Sequence, residues 1–144
     1  RLEQDHALPK MILYNLNPAD NYVFASMIGN FQDGSRAGKI QYGSGWWFLD
    51  QREGMTWQLN ALSNLGLLSR FVGILTDSRS FMSFPRHEYF RRFLCDLLGA
   101  EVERGELPED ESLLRELVTG IGHENARRFL EFPDQRKAPS GKGA

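Results

Sequence analysis

Short, uninterrupted apolar runs alternate along this chain with stretches of helical periodicity, and that alternation restricts it to an α/β arrangement built on parallel strands. The first run, Met11-Ile-Leu-Tyr-Asn-Leu-Asn17, lacks polar alternation, as strands buried on both faces do. It stops at Asn17-Pro18-Ala19-Asp20, which reads as a helix start with Asn17 as N-cap, Pro18 in the first turn and Asp20 favoured by the helix dipole. Ala19, Val23 and Met27 then recur at helical spacing, widened by Phe24 and Ile28, until Gly29 and the polar stretch from Gln32 to Gly38 close the unit.

The same grammar repeats twice. A second strand is expected over residues 39–48, followed by a helix from Gly54 to Gly66 with Met55, Leu59 and Leu62 on its inner face and Gly66 as its stop. A third strand, Phe71-Val-Gly-Ile-Leu-Thr76, runs directly into Asp77-Ser78-Arg79. Pro85 then opens a helix whose Phe90, Phe93, Leu94 and Leu97 form a stripe ending at Gly99. Crossovers of roughly 30 residues are the usual length of a βαβ unit. Beyond Gly99, Pro108 with Glu109, Asp110 and Glu111 marks another helix start, with Leu113, Leu114, Leu117, Val118 and Ile121 on one face, and a last short helix runs from Asn125 to Leu130. Residues 1–132 read as one segment of a single domain and 133–144, without apolar period, as a flexible tail.

Composition excludes several classes. Lys and Arg number 17 against 19 Asp and Glu, a net charge of −2, so neither nucleic acid nor an anionic membrane surface is expected as a partner. No apolar run approaches the ~20 residues that cross a bilayer. A single cysteine, Cys95, precludes an internal disulfide and fits a reducing compartment, hence a cytoplasmic location. It sits on the apolar side of its helix and is expected to be a buried, inert thiol. The chain opens on Arg1 and not on Met, which reads as a start inside a longer protein.

Parallel sheets bind ligands at the C-terminal ends of their strands, which singles out Asn15 and Asn17, Gly43-Ser44-Gly45-Trp46, and Thr76-Asp77-Ser78-Arg79. The last is the sharpest, because a carboxylate and a guanidinium two residues apart can face one pocket. Asp77 can ligate a metal or move a proton, and Arg79 can clamp a carboxylate in bidentate fashion. An internal Asp77–Arg79 ion pair closing the strand end is the structural alternative. The Gly43-x-Gly45 pair is no dinucleotide fingerprint, since Phe48 occupies the third glycine position. His87-Glu-Tyr-Phe-Arg91 lacks the second histidine of a zinc-protease helix, and His6, His87 and His123 are too scattered to form a metal site within the chain.

Taken together, Ile12-Leu-Tyr-Asn-Leu-Asn-Pro18, Met27-Ile-Gly-Asn-Phe-Gln32, Tyr42-Gly-Ser-Gly-Trp-Trp-Phe48, Leu75-Thr-Asp-Ser-Arg-Ser-Phe81 and Arg86-His-Glu-Tyr-Phe-Arg-Arg92 resemble uronate isomerase, from about residue 8 to about residue 130. The resemblance implies the C-terminal part of a (β/α)8 TIM barrel of the amidohydrolase-like superfamily: three βα units, the sixth to eighth of the barrel, plus terminal helices. It implies an aldose–ketose isomerase interconverting hexuronates (glucuronate with fructuronate, galacturonate with tagaturonate) in sugar-acid catabolism, with a divalent metal, zinc in the full enzyme. By the same resemblance Asp77 is catalytic and binds or neighbours the metal, Arg79 contacts the sugar acid, and Trp46 lines the substrate site. The remaining metal ligands lie outside this chain, so the fragment alone is expected to be inactive. Its expected partners are a uronate, the rest of the barrel and, in the full enzyme, further copies of itself. A metal-dependent hydrolase on the same barrel and a non-enzymatic α/β binding module are the alternatives.

Overall fold

A computed structural model describes residues 1–32, 34–43 and 49–133. Two parallel strands, β1 (Met11–Leu13) and β2 (Ile40–Tyr42), pair in the register Met11 to Ile40, Ile12 to Gln41 and Leu13 to Tyr42. Helix α1 (Asn21–Gly29) forms the crossover between them, and α2 (Arg52–Leu65) packs beside it. A long helix, α3 (Pro85–Glu103), follows, then α4 (Glu111–Thr119), a π-helical turn (Gly120–Glu124) and α5 (Asn125–Phe129). The chain is therefore α/β with a small parallel sheet. No helix among the described residues is long and apolar enough to cross a membrane.

Tyr42 and Ile40 of β2 are completely buried, and Gln41 between them is buried because its amide donates to the carbonyls of Gly38 (2.9 Å) and Arg70 (3.1 Å). A buried amide left unpaired would oppose the fold, and both bonds remove that cost. The core continues through Met55, Leu59 and Leu62 of α2 and Phe90, Phe93, Leu94 and Leu98 of α3. Each such buried side chain contributes about 1.5–3 kcal/mol relative to exposure. Phe71 meets Phe90 edge to face, with ring centroids 6.4 Å apart.

Several expectations need correction. The first strand is three residues long and half-buried, not doubly buried over 11–17. The inner stripe of α1 is Asn21, Ala25 and Ile28, with Phe24 half-buried, whereas Val23 and Met27 are exposed. The cause is polar: Asn21 is tied into a buried hydrogen-bond network, so the helix rotates to bring it inward. Helix α2 does stop at Gly66, but in an extended conformation (φ −141°) and not in the left-handed one. The glycine is required there by packing, since a Cβ would lie 3.1 Å from Leu62 Cδ1 and 3.2 Å from Ile28 Cδ1.

The third run, 71–76, is extended yet makes only an isolated bridge at Ile74 and joins no ladder among the described residues. Gly73 turns it out of register at φ +83°, where its backbone presses against Ile121 O; a Cβ there would stand 2.6 Å from that oxygen. Two of its carbonyls take side-chain donors: Asn125 Nδ2 donates to Phe71 O at 2.8 Å, and Arg86 Nη2 donates to Thr76 O at 2.7 Å. Helix α3 runs straight through Gly99 to Glu103, and Gly105, just past its end, adopts φ +74° and donates to Val102 O. Cys95 is exposed and not buried. Helix α4 begins at Glu111, three residues past Pro108, because Asp110 is the cap, its Oδ1 accepting from Ser112 N and Leu113 N. Leu113 is exposed, while Leu117, Val118 and Ile121 do reach the core.

Candidate functional site

The segment that leaves the third apolar run presents its side chains in alternation. Thr76 is buried, Asp77 and Arg79 are exposed, and Ser78 lies between these extremes. Asp77 holds φ +47°, a left-handed conformation that a residue with a Cβ adopts only when its surroundings impose it. Asp77 and Arg79 make no ion pair with each other, and Arg79 joins no ion pair or hydrogen bond among the described residues. A guanidinium left in this state is free to meet an anion.

A different arginine secures the segment. Arg86, the second residue of α3, forms an ion pair through Nη1 with Asp50 Oδ2 and donates from Nη2 to Thr76 O at 2.7 Å and to Ser78 Oγ at 2.8 Å. Ser78 Oγ in turn donates to Thr76 Oγ1 at 2.8 Å. Residue-by-residue reading of the sequence had fixed on Arg79 and passed over Arg86. The available signal was a long donor placed directly after Pro85, at a helix start only seven residues downstream of Arg79.

The other strand ends behave differently from one another. Asn17 caps the turn at Pro18–Asp20 by accepting from Ala19 N, as expected. Asn15 is buried and structural: its Nδ2 donates to Asn21 Oδ1 and Asn17 O, both at 2.7 Å, and its Oδ1 accepts from Tyr42 Oη at 3.0 Å. Gly43 is a glycine because the Tyr14 ring lies across it, 2.3 Å from where a Cβ would be. Trp46 falls outside the described residues.

On the far side of the 71–76 segment, a cleft of about 810 Å³ is walled by Val72, Ile74, His87, Phe90, Arg91 and Phe132 among others. The His87 imidazole there is pushed below its ordinary range by burial first and then by the positive charges of Arg91 and Arg86. Among the described residues no three His, Cys, Asp or Glu side chains gather to hold a metal ion. Asp77 offers one carboxylate, which on its own does not make a site for a divalent cation.

With this geometry in view, comparison with known proteins is direct. A family model described as glucuronate isomerase matches residues 1–130, a span that contains the whole Thr76–Arg86 arrangement. A uronate isomerase of Solibacter usitatus is 66% identical over 130 residues, 90% of this chain and 28% of the relative. One from Opitutus terrae is 67% identical over 131 residues, 91% of this chain and 28% of the relative. The Bacillus pumilus protein of the same name is 58% identical over 132 residues, 92% and 28% respectively. The chain thus spans about 28% of the length of the curated relatives it matches. A match over residues 1–130 and identities of this size carry one conclusion: the chain belongs to the glucuronate isomerase family.

Proposed function

We propose that this chain is a segment of an aldose–ketose isomerase acting on hexuronates, and that Asp77 and Arg79 are its contribution to the active site. The observation that carries the reading is the turn at 76–79, which exposes a carboxylate and, two residues on, a guanidinium that joins no ion pair or hydrogen bond among the described residues, in a chain of this family. An acid sugar needs a fixed cation to hold its carboxylate, and the planar fork of Arg79 provides one. Moving the carbonyl between C1 and C2 takes a proton from one carbon and returns one to the other through an enediol. The Asp77 carboxylate is the group on this turn able to accept and return a proton. Trp46 would supply an apolar wall for the ring. The βαβ unit of β1, α1 and β2, extended by the 71–76 run, suits a place in the wall of a (β/α)8 barrel completed by residues beyond these. A divalent cation would need more donors than the described residues gather.

The test is to incubate the full-length protein carrying this segment with D-glucuronate in heavy water and follow the sugar by NMR. Conversion to the ketose, with deuterium on the product carbon when the transferred proton exchanges with solvent, supports the isomerase. Absence of any ketose from glucuronate and galacturonate alike overturns it, and turnover of ester or amide substrates in its place establishes a hydrolase.

A further inference from the structure

Two arginines stand close to the Asp77 turn, and their surroundings divide the labour between them. Arg79 is exposed and joins no ion pair or hydrogen bond among the described residues. Arg86 is three-quarters shielded, with 27% of its side chain exposed, and its charge is already matched by Asp50, itself 18% exposed. A guanidinium so neutralised has little attraction left for an anionic ligand, so Arg86 is not a second substrate clamp. What it holds is protein. One nitrogen, Nη2, donates to Thr76 O and to Ser78 Oγ, the residues immediately before and after Asp77. Ser78 Oγ spends its own proton on Thr76 Oγ1, closing a small ring of polar atoms around the base of the turn. Between these two fixed points Asp77 holds φ +47°, a left-handed conformation uncommon for a residue with a Cβ.

We propose that Arg86 is a positioning residue: anchored to Asp50, it pins Thr76 and Ser78 and thereby holds Asp77 in the conformation that the reaction uses. This inference rests on the isomerase reading for its kinetic consequence but not for its structural one. The rigid fork is essential, because a lysine ammonium can satisfy Asp50 without also reaching Thr76 O and Ser78 Oγ in the same plane.

Arg86→Lys, Arg86→Gln and Ser78→Ala in the full-length protein test it. Arg86→Lys is expected to lower kcat on glucuronate about tenfold or more, the scale of a misplaced reacting group, while KM changes by less than about threefold. Hydrogen–deuterium exchange of the amides of Asp77 to Ser80 should quicken in all three variants, and Ser78→Ala reports on the turn even if the Arg86 variants fail to fold. Wild-type kcat and unchanged exchange in Arg86→Lys overturn the proposal, and a rise in KM at constant kcat also overturns it by assigning Arg86 to the substrate. If the wild-type protein isomerises no uronate, the functional reading has failed, and exchange at the turn still decides whether Arg86 holds it.

Discussion

Tyr42 Oη lies 2.7 Å from Asn21 Oδ1 inside the core, so the hydroxyl of the second strand is bonded to the first turn of the helix that crosses back over it. The same hydroxyl approaches Asn15 Oδ1 at 3.0 Å, and Asn15 Nδ2 closes the triangle onto Asn21. Three polar side chains from β2, α1 and the end of the first apolar run thus bond to one another inside the core, while Asn21 Nδ2 has no partner among the described residues. Such a network favours the rotation of α1 that turns Asn21 inward, because the two bonds to Asn21 Oδ1 offset part of the cost of burying the amide.

Removing the hydroxyl takes away the one proton it shares with the two amide oxygens, while Asn21 Oδ1 keeps its bond from Asn15 Nδ2 at 2.7 Å. Tyr42→Phe should therefore lower the unfolding free energy by about 0.5–1.5 kcal/mol, the net worth of a typical hydrogen bond. Urea denaturation followed by circular dichroism reads this as a lower midpoint with an unchanged slope. A variant as stable as the parent would mean that the network merely fills space.

The same tyrosine gives the fold an alkaline limit. Burial raises the Tyr42 phenol above its ordinary value of 10.0, with Asp20 adding to the effect and the Asn15 bond opposing it. The folded state binds this proton more tightly than the unfolded chain, so its contribution is complete below pH ~10 and declines as pH rises beyond it. Melting temperature should fall above pH 10 in the parent more steeply than in Tyr42→Phe.

Little of that triangle was legible in the sequence. The periodicity of α1 pointed to Ala19, Val23 and Met27, since a hydrophobic stripe is the only inward-facing signal that apolar spacing carries. An asparagine facing inward becomes visible only when its partners on other elements are known. By contrast, Met55, Leu59 and Leu62 face inward as their spacing indicates, with Gln58 buried among them and donating to Tyr42 O at 3.2 Å. The site divides in the same way. Asp77 and Arg79 stand out in the sequence because they adjoin an apolar run, whereas the contact of Arg86 with Thr76 is visible only once the fold brings the start of α3 to the end of that run.

Two glycines carry predictions of opposite sign. At Gly73 an alanine would need φ +83° and would push its methyl to 2.6 Å from Ile121 O, so Gly73→Ala should destabilise by about 1–3 kcal/mol. At Gly99, in the middle of α3, a Cβ meets nothing within 4 Å, so Gly99→Ala should stabilise by about 0.5–1 kcal/mol. Thermal unfolding of both variants checks the pair. A stabilised Gly73→Ala would contradict the close approach of the 71–76 segment to the π-helical turn.

Acid sensitivity should originate partly at the C-terminal side. Glu131 accepts from Arg36 and from Lys10 Nζ, the latter at 3.0 Å, and these bonds, Arg36 first, pull its carboxyl from the ordinary 4.5 to about 2. A depressed carboxyl stabilises the fold above its unfolded value and loses that contribution as pH falls from about 4.5 toward 2. The pair is exposed, so salt should weaken it. Glu131→Gln should show a shallower fall in melting temperature between pH 5 and pH 3 than the parent, and the difference should shrink in ~1 M salt. Parallel curves at low salt would remove Glu131 from the acid response.

Arg79 gives the most direct test of substrate chemistry. Its guanidinium is exposed, unpaired among the described residues, and next but one to Asp77, so its proposed task is to fix the carboxylate of the sugar acid. Lysine preserves the charge but replaces two parallel donors by a single point, which sacrifices orientation more than attraction. In the full-length protein Arg79→Lys should therefore reduce kcat/KM for uronates by about tenfold or more. The loss should be far smaller for a neutral hexose, if one is turned over at all, because that substrate has no carboxylate to orient. Equal losses on both substrates would place Arg79 in the general architecture of the turn, and near-parental kinetics on uronates would leave the carboxylate to another cation.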